Sequence, residues 1–88
     1  MLKIYDTFIL SLLKNHDKSL FKAIYNHYNK GDCIGYIKND VYFVEYAYNS
    51  GAITYKQAIK ICNILNRFYD FNIKRVYYKD IYVNIERK

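Results

Sequence analysis

In some segments of this 88-residue chain the apolar residues recur every three or four positions, and in others every two. The first spacing is typical of helices and the second of strands, so the chain is limited to folds that combine both. The segment from Cys33 to Tyr48 alternates at a period of two, and β-branched and aromatic residues dominate it. Asn39-Asp40 lies in its middle, and both residue types tolerate the positive φ of a two-residue turn. The segment is therefore predicted to form a β-hairpin, which Asn49-Ser50-Gly51 closes.

A helix is predicted directly after this hairpin. Thr54 and Gln57 have the spacing of a capping box, in which each side chain bonds the backbone N–H of the other residue. The helix should run from Tyr55 to about Tyr69. Its core stripe follows the helical period and comprises Ala58, Ile61, Cys62, Leu65, Phe68 and Tyr69.

The two ends of the chain complete the pattern. Met1 to Leu13 places apolar residues at three- and four-residue intervals, which predicts a first helix. Asp17 is a suitable N-cap for a second helix, and Gly31 suits a left-handed position after its end. The C-terminal segment predicts a second hairpin, with strands Ile73 to Tyr78 and Ile81 to Glu86 around a Lys79-Asp80 turn.

These elements predict an α+β fold in one small domain spanning residues 1–88. We expect about three helices and a four-stranded antiparallel sheet made of two β-hairpins, in the order α-α-β-β-α-β-β. With 52% apolar residues the chain is too hydrophobic to remain disordered for lack of a core. Its length is near the lower end for domains that fold unaided.

The net charge of +6 favours anionic partners, such as nucleic acid, an acidic protein surface or anionic lipid. Eleven of the fourteen cations are Lys, which favours contacts to a phosphate backbone over contacts to bases. The apolar run Phe8 to Leu13 is too short to cross a bilayer, so no membrane partner is expected. Cys33 and Cys62 are interpreted as free thiols in a reducing cytoplasm, that of a host cell.

One candidate binding surface, the basic ridge, lies on the third predicted helix. Lys56, Lys60, Asn63 and Arg67 fall within a narrow arc opposite the apolar stripe. The ridge could contact phosphates or an acidic partner. The plainer interpretation, which helix faces of this kind usually bear out, is an ordinary solvated helix face. Lys18, Lys22 and Asn29 predict a weaker ridge on the second helix.

A second candidate surface is the aromatic face of the C-terminal hairpin. The turn at Lys79-Asp80 pairs Tyr78 with Ile81 and Val76 with Val83 on a core face. The half-exposed face then carries Ile73, Arg75, Tyr77, Tyr82, Asn84 and Glu86. Arg75, Tyr77 and Tyr82 could stack unpaired bases, form a protein interface, or only stabilise the sheet by cross-strand pairing.

In the first hairpin both faces are apolar. Tyr42, Val44, Tyr46 and Tyr48 lie on one side, and Val41, Phe43 and Ala47 lie on the other with Glu45. A strand that is apolar on both faces needs cover on both. The first helix or a second copy of the chain could supply that cover, which is the reason to expect a homodimer.

Signals for catalysis and for cofactors are weak. His16, His27, Cys33 and Cys62 would have to converge to bind zinc, and no pair has the close spacing of metal ligands. Cys62 lies on the buried stripe, where thiols are usually inert, and Asp32 raises the expected pKa of Cys33. We therefore expect neither an enzyme nor a cofactor nor a metal.

The chain is rich in Ile, Tyr, Lys and Asn, which have A/T-rich codons. Together with compact size, a single domain and no catalytic motif, this resembles small phage or mobile-element proteins, anti-CRISPR inhibitors among them; no motif carries this resemblance. It implies a non-enzymatic protein that inhibits or modulates a host nucleic-acid-handling machine through a basic, Tyr-rich surface. Two alternatives stay open. One is a nucleic-acid-binding module that contacts phosphates by the basic ridge. The other is an oligomeric scaffold.

Overall fold

The computed structural model describes residues 1–27, 31–45 and 53–85 of the chain. In this part the strands are β1 (Leu2–Tyr5), β2 (Cys33–Lys38), β3 (Val41–Val44), β4 (Arg75–Tyr78) and β5 (Ile81–Asn84). The helices are α1 (Asp6–Leu13), α2 (Lys18–His27) and α3 (Tyr55–Tyr69). The α+β class is confirmed. The predicted element order lacked a strand, because the chain begins with β1 before its first helix.

The prediction of one helix over Met1 to Leu13 is wrong in its first third. Leu2 and Ile4 pair with β2, and Ile4 is buried in the core. The helix begins only at Asp6, whose carboxylate Oδ1 accepts hydrogen bonds from the N–H groups of Thr7 at 2.7 Å and Gly31 at 2.9 Å. The apolar residues of a strand and of the helix after it happen to continue one three-and-four spacing across this junction.

The strands that the structure describes form one mixed sheet of five, in the order β1-β2-β3-β4-β5. β1 with β2, β2 with β3, and β4 with β5 are antiparallel, whereas β3 and β4 are parallel. A parallel pair needs a long crossover, and α3 lies within it. The predicted four-stranded antiparallel sheet is therefore wrong, although the described parts of both hairpins pair around the predicted turns. The predicted closure at Asn49-Ser50-Gly51 and the last predicted strand residue, Glu86, lie outside the described residues.

Caps at the helix ends follow the sequence. The N–H of Leu20 donates to the Asp17 carboxylate at 3.0 Å, which confirms Asp17 as the N-cap of α2. Thr54 and Gln57 form the predicted capping box, with bonds of 3.0 and 3.1 Å. Gly31 has φ 97°, the left-handed conformation expected for it; residues 28–30, between it and the end of α2 at His27, lie outside the described residues.

Helices and sheet share one apolar core, and the helices that the structure describes bury their apolar residues against a single face of the sheet. The buried members are Ile4, Ile9, Leu13, Leu20, Ile24, Ile34, Ile37, Tyr42, Val44, Ile53, Ala58, Ile61, Cys62, Leu65, Ile73, Val76 and Ile85. We call this covered side the inner face and the opposite side the outer face. Tyr42 and Val44 of β3 point to the inner face, so their side of the first hairpin is covered within the chain; Tyr46 to Tyr48 lie outside the described residues.

The core stripe of α3 is shorter than predicted. Ala58, Ile61, Cys62 and Leu65 are buried, but Phe68 and Tyr69 are 42% and 47% exposed. Their rings contact aromatic side chains outside the sheet: Phe68 lies 4.4 Å from the His16 ring, and Tyr69 lies 5.5 Å from Phe8 and 5.9 Å from Phe71. The last turn of α3 therefore packs by its rings against α1 and the loops, and not under the strands.

The segment between α3 and β4 explains a further correction. Ile73 was expected on the half-exposed face of a strand, but it is fully buried, because β4 begins only at Arg75. The amide side chain of Asn66 holds Ile73 by its backbone, accepting from its N–H at 2.7 Å and donating to its carbonyl at 2.9 Å.

Ile81 was expected in the core and is 63% exposed, since β5 is the last of the described strands in the sheet.

Gly35 allows two strands to pack closely at the centre of the fold. It pairs with Ile4 of β1 and with Val44 of β3, and it has φ 156°. The Tyr42 ring occupies the space that a Gly35 side chain would need. The Tyr42 hydroxyl donates to the carbonyl of Ile34 at 2.9 Å, so this fully buried polar group is satisfied.

Candidate functional site

Four aromatic side chains form a continuous line across the outer face, and we call them the aromatic row: Tyr36, Phe43, Tyr77 and Tyr82. They come from β2, β3, β4 and β5, one from each strand. The register aligns them, because Tyr36 pairs with Phe43, Phe43 with Tyr77, and Tyr77 with Tyr82. Lys3 of β1 pairs with Tyr36 and extends the row by one cation.

The rings of the row contact one another at distances set by the strand spacing. Tyr36 and Phe43 stack at 4.8 Å with their planes 11° apart. Phe43 lies 5.4 Å from Tyr77, and Tyr77 lies 4.7 Å from Tyr82. Tyr36, Phe43 and Tyr77 are half-buried, whereas Tyr82 is 52% exposed. The row is thus a continuous aromatic surface that is exposed to solvent at its β5 end.

A second row lies two residues along each strand from the first. It contains Lys38, Val41, Arg75 and Asn84, which are aligned by the same register. The Arg75 guanidinium lies 3.4 Å from the Asp40 carboxylate and 5.0 Å from the centre of the Tyr82 ring. Arg75 is therefore held in place beside the aromatic row, with its planar group over one of the rings.

Three cations and three carboxylates lie around the aromatic row. Lys3 and Lys38 are exposed, and Arg75 is half-exposed. Of the nearby acids, Asp40 faces Arg75 and Asp80 accepts from the Tyr77 hydroxyl at 3.2 Å. Glu45 follows β3 at a position that continues the outward alternation of Val41 and Phe43. The side chains of the described outer face thus combine stacking surfaces with charges of both signs, and its two exposed lysines lie on β1 and β2.

The basic ridge lies on the other side of the protein. Lys56, Lys60, Asn63 and Arg67 are all exposed, and they face away from the stripe that packs α3 onto the sheet. Arg67 also lies 5.3 Å from the centre of the Phe68 ring. The sheet therefore separates two groups of predicted residues: Arg75, Tyr77 and Tyr82 come together on the outer face, and the ridge does not join them.

A third basic region lies where α1 meets α2. Lys14, Lys18 and Lys22 line a surface depression of about 810 Å³, together with Asn15, Ser19 and Phe21. Two of these lysines belong to the weaker ridge predicted on the second helix; its Asn29 lies outside the described residues. This depression is on the helical side of the fold, so it adds positive charge away from the aromatic row.

Sequence reasoning missed half of the aromatic row. Tyr36 and Phe43 were not assigned to a surface, because the first hairpin is apolar on both faces and alternation alone does not tell which face is covered. Lys38 offered a usable signal, because it follows Tyr36 by two residues and therefore lies on the same face of β2. Lys3 lies on this face as well, since it pairs with Tyr36. Polar residues at alternate positions mark the face that helices leave open.

Both cysteines are free thiols. The Cys33 Sγ donates to the carbonyl of Gly35 at 3.2 Å, and burial raises the pKa of the Cys62 thiol far above its ordinary value. Within residues 1–27, 31–45 and 53–85, no group of three His, Cys, Asp or Glu side chains could hold a metal ion. None of the helices described is both long and apolar enough to cross a membrane.

The two cysteines should react with thiol reagents at very different rates. The thiolate is the reactive form, and burial keeps Cys62 protonated, so only the half-buried Cys33 should be alkylated in the native protein. Mass spectrometry after a short iodoacetamide pulse should show one adduct on Cys33, and a second on Cys62 only in denaturant. Native labelling of Cys62 at the rate of Cys33 would contradict the buried position of the stripe.

No protein-family model matches the sequence, and comparisons with curated proteins and with solved structures return no match.

Proposed function

We propose that this chain is a non-enzymatic binding protein that holds unpaired nucleic acid on the outer face of its sheet. The observation that carries the proposal is the aromatic row, in which Tyr36, Phe43, Tyr77 and Tyr82 lie side by side across four strands. Every base has a flat face that stacks on aromatic rings, and such stacking contributes about 1–3 kcal/mol per base. Lys3, Lys38 and Arg75 supply cations for the phosphates beside it.

Single strands fit this surface better than duplexes do. In a duplex the base faces are stacked on one another, so the rings of a sheet could not reach them without unpairing the strand. The predominance of Lys over Arg favours backbone contacts that carry little sequence information. We therefore expect binding that prefers single strands and tolerates many sequences.

The action on a host nucleic-acid-handling machine, in a host cytoplasm, remains part of the proposal. An inhibitor could use the same outer face to occupy a single strand that the machine needs. The second candidate is a direct protein contact, which the position of Arg75 beside Tyr77 and Tyr82 favours, because Tyr and Arg are enriched at the centres of protein interfaces. Binding of nucleic acid by the purified chain, without any partner protein, would support the first candidate, and its absence would favour the second.

Fluorescence anisotropy tests the proposal with labelled single strands of ~12 nucleotides, both DNA and RNA, and with the matching duplex. We expect the single strands to bind more tightly. If the three cations of the outer face each neutralise one phosphate, the log–log dependence of affinity on salt should have a slope of about −2. Absence of binding at low salt, or tighter binding of the duplex, would reject this function.

Two charge-reversal variants locate the surface. Lys3→Glu with Lys38→Glu changes the outer face, and Lys60→Glu with Arg67→Glu makes the same change in net charge on the basic ridge. All four side chains are exposed, so both variants should melt near the wild-type temperature. The outer-face variant should lose binding, while the ridge variant should retain most of it. The reverse result would assign the site to the basic ridge.

A further inference from the structure

The outer edge of β5 has backbone hydrogen-bonding groups that no described strand satisfies. β5 is the last strand in the sheet order. Its two-residue turn and the bond from the Ile85 N–H to the Lys74 carbonyl, at 2.9 Å, direct the backbone groups of Ile81, Val83 and Ile85 toward β4. The N–H and C=O groups of Tyr82 and Asn84 therefore point away from the sheet.

This edge lacks the features that usually prevent strands from pairing. The four residues of β5, Ile81-Tyr82-Val83-Asn84, contain neither a charge nor a proline, and Ile81 is 63% exposed. The opposite edge is different, because β1 carries Lys3 and its pairing is interrupted by a bulge between Ile4 and Tyr5. Charges and bulges protect edges against further pairing. β5 is thus the edge that is open to another strand.

We infer that β5 pairs antiparallel with the β5 of a second copy of this chain, about a two-fold axis at Tyr82. A two-fold axis presents the same segment on both copies, and it makes the two β5 strands run antiparallel. One strand can therefore supply both halves of the interface. Each copy carries a net charge of +6, and β5 is an uncharged segment where two copies meet without opposing like charges within the paired strands. Because the β1 edge is protected, assembly stops at two copies.

The pairing has a geometric consequence for the aromatic row. Tyr82 lies at the end of the row, and its backbone groups point outward, so Tyr82 of one copy would sit directly opposite Tyr82 of the other. The two sheets would join into one sheet of ten strands, and the two rows would join into one line of eight rings. This inference stands on the edge of β5 and does not require that the row bind nucleic acid.

Sedimentation velocity from ~1 μM to ~1 mM tests the dimer, with Asn84→Pro and Asn84→Ala as a matched pair. Proline removes the outward N–H without breaking the β4 ladder, whereas alanine keeps it. We expect wild type and Asn84→Ala to dimerise, and Asn84→Pro to weaken the dimer by at least tenfold. Salt should strengthen the dimer by screening the like charges, the opposite of its effect on nucleic-acid binding. A monomeric mass throughout, or an unchanged dimer in Asn84→Pro, would overturn the inference.

A disulfide at the proposed axis gives a second measurement that holds even if Asn84→Pro does not fold. Paired residues in a hydrogen-bonded antiparallel pair have Cα atoms about 5.5 Å apart, within the range that a disulfide spans. Tyr82→Cys should therefore cross-link rapidly into a dimer under mild oxidation. Tyr25→Cys, which is 64% exposed on α2, is the control and should cross-link slowly. Equal rates for the two variants would place the contact elsewhere.

Discussion

Gly35→Ala should destabilise the fold by about 3 kcal/mol or more. An added Cβ would lie 2.5 Å from the carbonyl oxygen of Phe43 and 2.9 Å from Cζ of the Tyr42 ring, so strand and ring would both have to move. The φ of 156° adds strain, because L side chains rarely adopt it. The denaturation midpoint in urea, with the slope unchanged, measures the loss.

Gly31→Ala is the matched control for this substitution. Gly31 also has a positive φ, of 97°, but an added Cβ there would meet no atom within 4 Å. Only the cost of the left-handed conformation remains, about 1 kcal/mol. If both variants lost the same stability, close packing against Tyr42 would not be what requires glycine at position 35.

Tyr77→Ser combined with Tyr82→Ser should raise the Kd for a single strand by ~30-fold or more. The two rings form the β4 and β5 half of the aromatic row, and stacking on each contributes about 1–3 kcal/mol per base. The cations stay in place, so the salt slope should not change. Anisotropy titrations at several salt concentrations measure both quantities.

Tyr25→Ser with Tyr55→Ser removes two exposed tyrosines from helices and serves as the control. Its Kd should stay within about twofold of wild type, which lies within the usual scatter of ~0.4 kcal/mol for surface changes. A loss of affinity equal to that of the row variant would mean that tyrosines bind without regard to position. If the row variant bound with wild-type affinity, the cations alone would account for binding and the two rings would not contribute.

The sequence predicted local structure well, because local structure depends on neighbouring residues. The turn at Lys79-Asp80 has positive φ at both residues, 48° and 66°, as a two-residue type I′ turn requires. The capping box at Thr54 and the N-cap at Asp17 needed only a few residues of context. Arg75, Tyr77 and Tyr82 share one face because the hairpin register follows from the turn.

Long-range pairing could not be predicted from the same signals. Nothing in the alternation of the two hairpins says that β3 and β4 run parallel, since a hairpin presents either edge equally well to another strand. The residues of β3 are apolar on both sides of the strand, so the sequence did not show which face was exposed. For that reason it did not identify Phe43 as a surface residue. The pairing of Leu2 and Ile4 with β2 depends on residues more than thirty positions away.

The parallel contact between β3 and β4 makes the aromatic row a composite of two halves. Tyr36 and Phe43 belong to one hairpin and Tyr77 and Tyr82 to the other, and the connection between them covers residues 45–74. Each hairpin closes over a short loop, but bringing the two halves together closes a much longer loop, which costs more conformational entropy. A strand of nucleic acid lying across all four rings would bridge the seam, and its binding free energy would add to the stability of the docked state. Ligand would then slow hydrogen exchange first along the seam, at the amides of Val41 to Phe43 and Arg75 to Tyr77.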